Sequence, residues 1–383
     1  MNPSNVRYHA LDSMRATMML LGIYLHVVLG YSSHVLWGYI DPHPSDTLNF
    51  TLGMIHSFRM PAFYVMAGFF GAMLWNGRGP ASFIANRVKR ILLPLVLFWS
   101  LLYPFKVALG ISLRQGTTQV APAFLSGAVL KRLHPLYLWF LEYLLLLYAI
   151  GGLVAWSSRW YPAGLMERIH AAYRWALERP YAPALFAVFS WLQLAGMRGT
   201  LRECRGFRPE LPILLAYIPP FGFGWLLYRN RDLLDRFQRH VWIYLALCVP
   251  AFLVFELASG RSHPYIKAAG NVLLCWFSIF ACTGLFLRFY SRPSARWRYM
   301  SDASYWLFIM HMPVVVGLQV ALLPVPLPAL AKIPVVLALA VAILTVSYDF
   351  MVRPTWIGAL LNGRRYRRGL PKVPREPLLE AAG

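Results

Sequence analysis

Acidic side chains are scarce: 15 Asp and Glu stand against 37 Lys and Arg, and charged residues of both signs amount to 14% of 383. A soluble domain carries about 25%, so a water-facing surface is excluded for most of this chain. Cysteine is rarer still, and Cys204, Cys248, Cys275 and Cys282 make no CxxC pair, which removes the usual zinc and dithiol spacings. Cys275 and Cys282 share a helix face inside an apolar segment and read as small core residues rather than a metal site or a disulfide; only Cys204 falls in a loop. No metal ligation is expected. There is also no basic stripe interleaved with stacking aromatics, the footprint of nucleic-acid binding. The positive charge comes in short runs between apolar segments, and nucleic acid is not expected as a partner. The first apolar run ends without an A-x-A cleavage site and outlasts the core of a signal peptide, so it reads as a retained helix.

What is present is apolar. Hydrophobic residues make up 58% and the mean hydropathy is +0.50, a composition whose solvent is lipid. A bilayer-crossing helix needs about 20 apolar residues. Such segments fall at 14–34, 50–74, 91–111, 135–156, 182–197, 210–228, 241–258, 267–288, 303–323 and 330–351. The expected fold is all-α: a polytopic membrane protein, a bundle of about ten transmembrane helices. The segment 182–197 is short, and 210–228 carries Pro219–Pro220, which membrane helices tolerate where neighbours satisfy the freed backbone groups. With the N-terminus in the cytosol, the segments on that side include Arg7 and Arg15, then Arg78, Arg87, Lys89 and Arg90, and finally the tail from Arg353; they hold the larger share of the 37 Lys and Arg. The positive-inside rule then makes both termini cytosolic. No internal repeat or soluble domain separates out. Residues 1–360 form one transmembrane domain and 361–383 a basic cytosolic tail. Arg364, Arg365, Arg367 and Arg368 suit that tail to anionic lipid or, on a sharper reading, to docking a partner.

Titratable residues inside such spans are costly and mark function by default. The first helix holds Asp12, Arg15 and His26. Arg15 and His26, eleven residues apart, return to nearly the same face and lie roughly 16 Å apart along the axis; Asp12 and Arg15 can pair at i,i+3. Gly22 and Gly30 share the His26 side and would let another helix or a ligand approach closely. The second span carries His56 and Arg59, the fourth Glu142, and the ninth Tyr305 and His311. By helix rise, His26, His56, Glu142 and His311 lie roughly 12–21 Å from the cytosolic face. Four spans thus put ionisable groups in one slab, which suggests a polar chamber. Plainer readings stand beside this: His56 and Arg59 as packing and hydrogen-bonding partners, His311 bonded to a backbone carbonyl, Glu142 neutralising Arg59 in a buried pair.

Arg87 and Arg90, where the third helix opens, are either a topology anchor or a phosphate clamp that grips bidentately. With Arg15 they make a basic mouth. A basic mouth, a mid-depth histidine and an opening outside fit a coenzyme A thioester: phosphates at the mouth, a pantetheine arm along the ~16 Å from Arg15 to His26, an acceptor hydroxyl entering from outside. His26 could take the hydroxyl proton or carry the acyl group covalently, with Arg59 or Tyr305 stabilising the oxyanion. Acyl-CoA would be a substrate, with no permanently bound cofactor. A transporter would also place polar residues at mid-depth, but would more often show inverted repeats and broken helices, of which only Pro219–Pro220 gives a hint.

These residues resemble the membrane acyltransferase family 3. Its hallmarks are an arginine and a histidine separated by ten residues on the first helix, here Arg15 and His26, and an R-x-x-R at the third, here Arg87-Val-Lys-Arg90. The runs Leu11-Asp-Ser-Met-Arg15, Met19-Leu-Leu-Gly22, Tyr31-Ser-Ser-His34, Ile55-His-Ser-Phe-Arg-Met60 and Phe63-Tyr-Val-Met-Ala-Gly68 are most like the branch that succinylates osmoregulated periplasmic glucans. The likeness is strong over the first quarter and weaker at Leu138-Trp-Phe-Leu141 and Ser304–Pro313. Two positions depart from it. Tyr137 stands where the family often has His, with His134 one turn earlier, and the loop motif at Gly68 has Ala67 where Ser is common. The resemblance implies a bacterial inner-membrane protein with cytosolic succinyl-CoA as donor, a glucose hydroxyl of a periplasmic glucan as acceptor, and glucan-synthesis proteins as partners. The alternative within the family is an acetyl donor and another envelope glycan such as lipopolysaccharide. Arg59 near the thioester would favour a succinyl carboxylate. The outer-loop residues Arg198, Arg202, Arg205 and Arg208 would either bind an anionic glycan or be solvated.

Overall fold

The computed structural model describes residues 8–33, 41–127, 129–130, 133–204, 206–259 and 263–369. Arg7, His34, Arg205 and the tail beyond residue 369 lie outside the described residues. Among the described residues all regular structure is helical, as a chain dissolved in lipid requires, because a helix satisfies its backbone N–H and C=O groups within one segment. The main helices are α1 (His9–Gly30), α2 (Asn49–Arg87), α3 (Leu93–Gln115), α4 (Trp139–Ser157), α5 (Leu165–Leu177), α6 (Ala182–Gly196), α7 (Leu211–Arg229), α8 (Val241–Ser259), α9 (Pro264–Phe289), α10 (Ala295–Ala321) and α11 (Ala329–Ser347).

Eight described stretches are long and apolar enough to cross a bilayer. One of them, Asn49–Gln115, is an unbroken run of 67 residues, about 100 Å of helix against a hydrocarbon core of ~30 Å. It bends at Gly79, whose φ of 79° is natural only to glycine, and then passes a π turn at Val88–Leu92. Asn49–Gln115 therefore holds two rods that meet inside α2 at Gly79; counted separately, with the short apolar α6 beside them, they make ten apolar helical segments among the described residues, the number hydropathy suggests. The R-x-x-R pair lies about two to three turns into the rod that begins after Gly79. Arg87 ends α2 and Arg90 lies in the π turn that joins it to α3.

Pro219–Pro220 does not break α7, which runs on to Arg229. It packs on α2 where Gly68 faces the Phe221 carbonyl and Gly224 the Val65 carbonyl, so near that a Cβ on either glycine would overlap backbone. Small residues let membrane helices approach in this way. Gly68 is therefore a packing position inside α2 rather than part of a loop.

α1 sits centrally, with α2, α9 and α10 against it. Trp242, Val249, Leu253 and Leu257 on α8 and Val335, Leu339, Ile343 and Val346 on α11 are exposed; in water they would form an aggregating patch, and around this bundle they face lipid. Tyr148 on α4 feels the charges of both Arg87 and Arg15, and Gly363 touches Arg90. These groups define one end of the bundle, the basic end. The opposite end carries the loops 41–47 and 197–210.

Candidate active site

α1 carries two stations. At the basic end Arg15 pairs with Asp12 at 3.4 Å, the i,i+3 contact that the spacing suggests. Its Nη2 also donates to the hydroxyl (2.6 Å) and the carbonyl (3.1 Å) of Ser301 on α10, and the Ser301 hydroxyl donates to Asp12 at 3.2 Å. Nothing local in the sequence signals Ser301, which lies 286 positions from Arg15. Arg87 stacks on Tyr148 at 4.0 Å and on Phe83 at 5.2 Å. Tyr305 faces the charge of Arg90. The buried Nε atoms of Arg15 and Arg87 and the Tyr305 hydroxyl have no hydrogen-bond partner. Three buried donors at one end, all unmatched, are the condition in which a polar ligand is stabilised.

The second station is His26, about three turns along α1. It lines a cavity of about 760 Å³, within the usual range for small-molecule sites. His56, Arg59 and His311 line it too, along with Trp139, Phe140 and Phe308. Three of the four slab residues that helix rise groups by depth, with Arg59, thus share one chamber. The rings of His26 and His311 are 5.0 Å apart. His311 Nδ1 lies 2.7 Å from the Phe308 carbonyl. A carbonyl can only accept, so Nδ1 carries the proton and Nε2 presents a lone pair; Nε2 is buried and has no partner. Tyr137 sets its edge against His311 at 5.1 Å and donates its hydroxyl to the Ile309 carbonyl, so at this position tyrosine clamps α10.

By the same reasoning His56 Nε2 donates to the Leu201 carbonyl at 3.2 Å, two residues before Glu203, which lines the chamber. The Arg59 guanidinium lies on Gly22, where a Cβ would overlap it, and its buried Nε has no partner. The space at Gly30 is filled by the Gln319 amide, which donates to the Val27 carbonyl at 2.9 Å.

Other residues are placed apart. Glu142 does not line the chamber; its Oε2 is buried without a hydrogen-bond partner, and it makes no ion pair with Arg59. The carboxylate whose charge reaches Arg59 and His56 is Glu203, which lines the chamber beside Cys204. Asp12, Arg15, Arg87, Arg90 and Tyr305 also stand outside the chamber, at the basic end. Lys106 lines it with Arg114 and His134, its Nζ 3.1 Å from His134 Nε2. The sequence signals for these were faint: a lysine inside an apolar span, and Glu203 in a mostly basic loop.

The acyltransferase domain family matches residues 8–352. Among characterised proteins, the chain is 26% identical to the "Glucans biosynthesis protein C" of Salmonella typhimurium, an alignment that covers 97% of each. It is 25% and 26% identical to the proteins of that name from Salmonella paratyphi A and Salmonella paratyphi B, over 94% of this chain and 95% of theirs. No solved structure matches.

Proposed function

The chain belongs to this family of acyltransferases, and on that premise we propose that it is a transmembrane O-acyltransferase that moves a succinyl group from cytosolic acyl-CoA to hydroxyls of a periplasmic glucan. It would sit in a bacterial inner membrane with the basic end and both termini in the cytosol, alongside glucan-synthesis proteins. One observation carries this reading. A single helix presents Arg15 among the arginines of the basic end and, roughly 16 Å on, His26 in the wall of a chamber. The donor's phosphates rest at the first station, its pantetheine arm runs between them, and the acceptor sugar occupies the chamber.

In the transfer, the acceptor oxygen attacks the thioester carbonyl as His26 takes the hydroxyl proton. The C–S bond then breaks and the proton passes to the departing thiolate, giving ester and free CoA. His311, whose Nε2 can only accept, stabilises the imidazolium of His26. Arg59 faces the oxyanion or the donor's terminal carboxylate; the second role favours succinyl over acetyl. The name of the relatives supports a glucan acceptor.

The test follows CoA release from succinyl-CoA and acetyl-CoA by the purified protein, with and without β-glucan, for the wild type and His26→Ala. Glucan-dependent release from succinyl-CoA, lost in His26→Ala, is the expected result. Release from acetyl-CoA alone would move the assignment to an O-acetyltransferase of another envelope glycan, such as lipopolysaccharide. No release from either donor, in folded protein offered several glycans, would sink the reading.

A further inference from the structure

At the basic end the chain folds back on the R-x-x-R pair. After the π turn Tyr348–Val352 comes a short helix, Trp356–Asn362, which ends at Gly363 with φ 75°. A Cβ on Gly363 would overlap the Arg90 guanidinium, so both the left-handed backbone and the contact call for glycine.

The next residues are tied down. Tyr366 N donates to the Arg353 carbonyl at 2.8 Å, Gly369 N to the Asp349 carboxylate at 3.0 Å, and Asn362 to the Tyr348 hydroxyl at 2.9 Å. Arg353, buried at 4% exposure, anchors this fold. Its guanidinium faces the rings of Tyr299 at 4.9 Å and Tyr366 at 5.5 Å and pairs with Asp349 at 3.6 Å. Arg364 is held in turn by a 2.7 Å bond from its Nε to the Tyr366 hydroxyl.

Arg90 consequently stands among the charges of Arg87, Arg364 and Arg78. None of these four pairs with a carboxylate among the described residues. Like charges gathered without counter-ions repel one another, and the arrangement is relieved by a ligand with several negative charges. The unmatched Arg87 Nε and Tyr305 hydroxyl lie at the same end.

We propose that the turn at Gly363 and Arg364 is part of the donor site, and that Arg364 completes with Arg87 and Arg90 a clamp for the phosphate groups of coenzyme A. This rests on acyl-CoA being the donor. An anionic lipid headgroup offers the same chemistry, so the experiment separates the two sources.

Full-length protein in non-ionic detergent is titrated with CoA and with pantetheine, which lacks the nucleotide phosphates. Arg364→Gln should weaken CoA binding about tenfold, the loss of one charge-assisted phosphate contact, and leave pantetheine binding unchanged. Arg365→Gln, an exposed neighbour outside the clamp, should leave both unchanged, and Gly363→Ala should weaken CoA binding by displacing Arg90. Unchanged CoA affinity in Arg364→Gln overturns the proposal, and if that variant instead binds phosphatidylglycerol vesicles less well than wild type, the arginine serves lipid. Equal loss in Arg365→Gln also overturns it, since the effect would then be diffuse charge. A wild type that binds no CoA would overturn the donor reading itself, and this clamp with it.

Discussion

Replacing His26 and His311 by alanine, singly and together, asks whether the two act as one catalytic unit. Their ring centroids lie 5.0 Å apart, so the two rings are neighbours, and the Phe308 carbonyl fixes His311 as an acceptor at Nε2. A positioned general base contributes about 10²–10⁴ in rate, or about 3–5 kcal/mol of barrier. Each single variant should lose kcat on that scale. Independent groups would multiply their losses, giving about 10⁴–10⁸ in the double variant. Groups that share one proton transfer should instead leave the double variant no slower than the worse single. CoA affinity should hardly change, because the phosphates are proposed to rest roughly 16 Å away. The assay is thiol release at saturating donor and glucan, with the thermal unfolding midpoint of each variant checked to exclude a folding defect. His311→Ala retaining activity within a few-fold of wild type, or multiplicative losses in the double variant, would refute the paired mechanism.

Arg59→Gln should lower kcat/KM for succinyl-CoA about tenfold more than for acetyl-CoA, since one charge-assisted contact to the donor carboxylate is lost; equal losses would remove that contact from the reading. Gly22→Ala pushes the Arg59 guanidinium from its place and should reduce the same preference without touching His26. An unchanged donor ratio would show that Arg59 can shift harmlessly. At the far end Lys332 and Asp41 form a 2.7 Å ion pair with both side chains fully buried. Lys332→Met, which leaves the carboxylate unpaired in a low dielectric, should destabilise by about 3–5 kcal/mol, read by thermal unfolding in detergent. Adding Asp41→Leu should recover most of that loss, and a double variant no more stable than the single would contradict it.

Positions along one helix are legible because rise and turn are fixed. The Asp12–Arg15 pair and the shared face of Arg15 and His26 follow from spacing alone. Depth is legible too, but depth leaves rotation open. Glu142 lies at the depth of the histidines by helix rise, yet it is Leu136, Tyr137, Trp139 and Phe140, at the start of α4 and just before it, that line the chamber, and the carboxylate one turn on does not. Which residues reach the chamber is set by tertiary packing such as that of Phe140 on Phe63 and Phe308, contacts between helices that no local pattern reveals. The chamber's carboxylate therefore comes from a loop, as Glu203.

The same uncertainty explains why a buried polar residue in a span has two readings that sequence cannot separate. Its desolvation must be offset either by a ligand or by the protein's own backbone. His56 takes the second course through Leu201, and Asn271 likewise donates to the Gly199 carbonyl at 2.9 Å. Together they hold Gly199 and Leu201, just ahead of the chamber-lining Glu203 and Cys204. His311 takes both: Nδ1 is given to the backbone, while Nε2 is left unmatched toward the cavity. Residues of the first kind shape the chamber and those of the second kind are available for chemistry. The distinction lies in which nitrogen is already satisfied, a fact that only the tertiary fold contains.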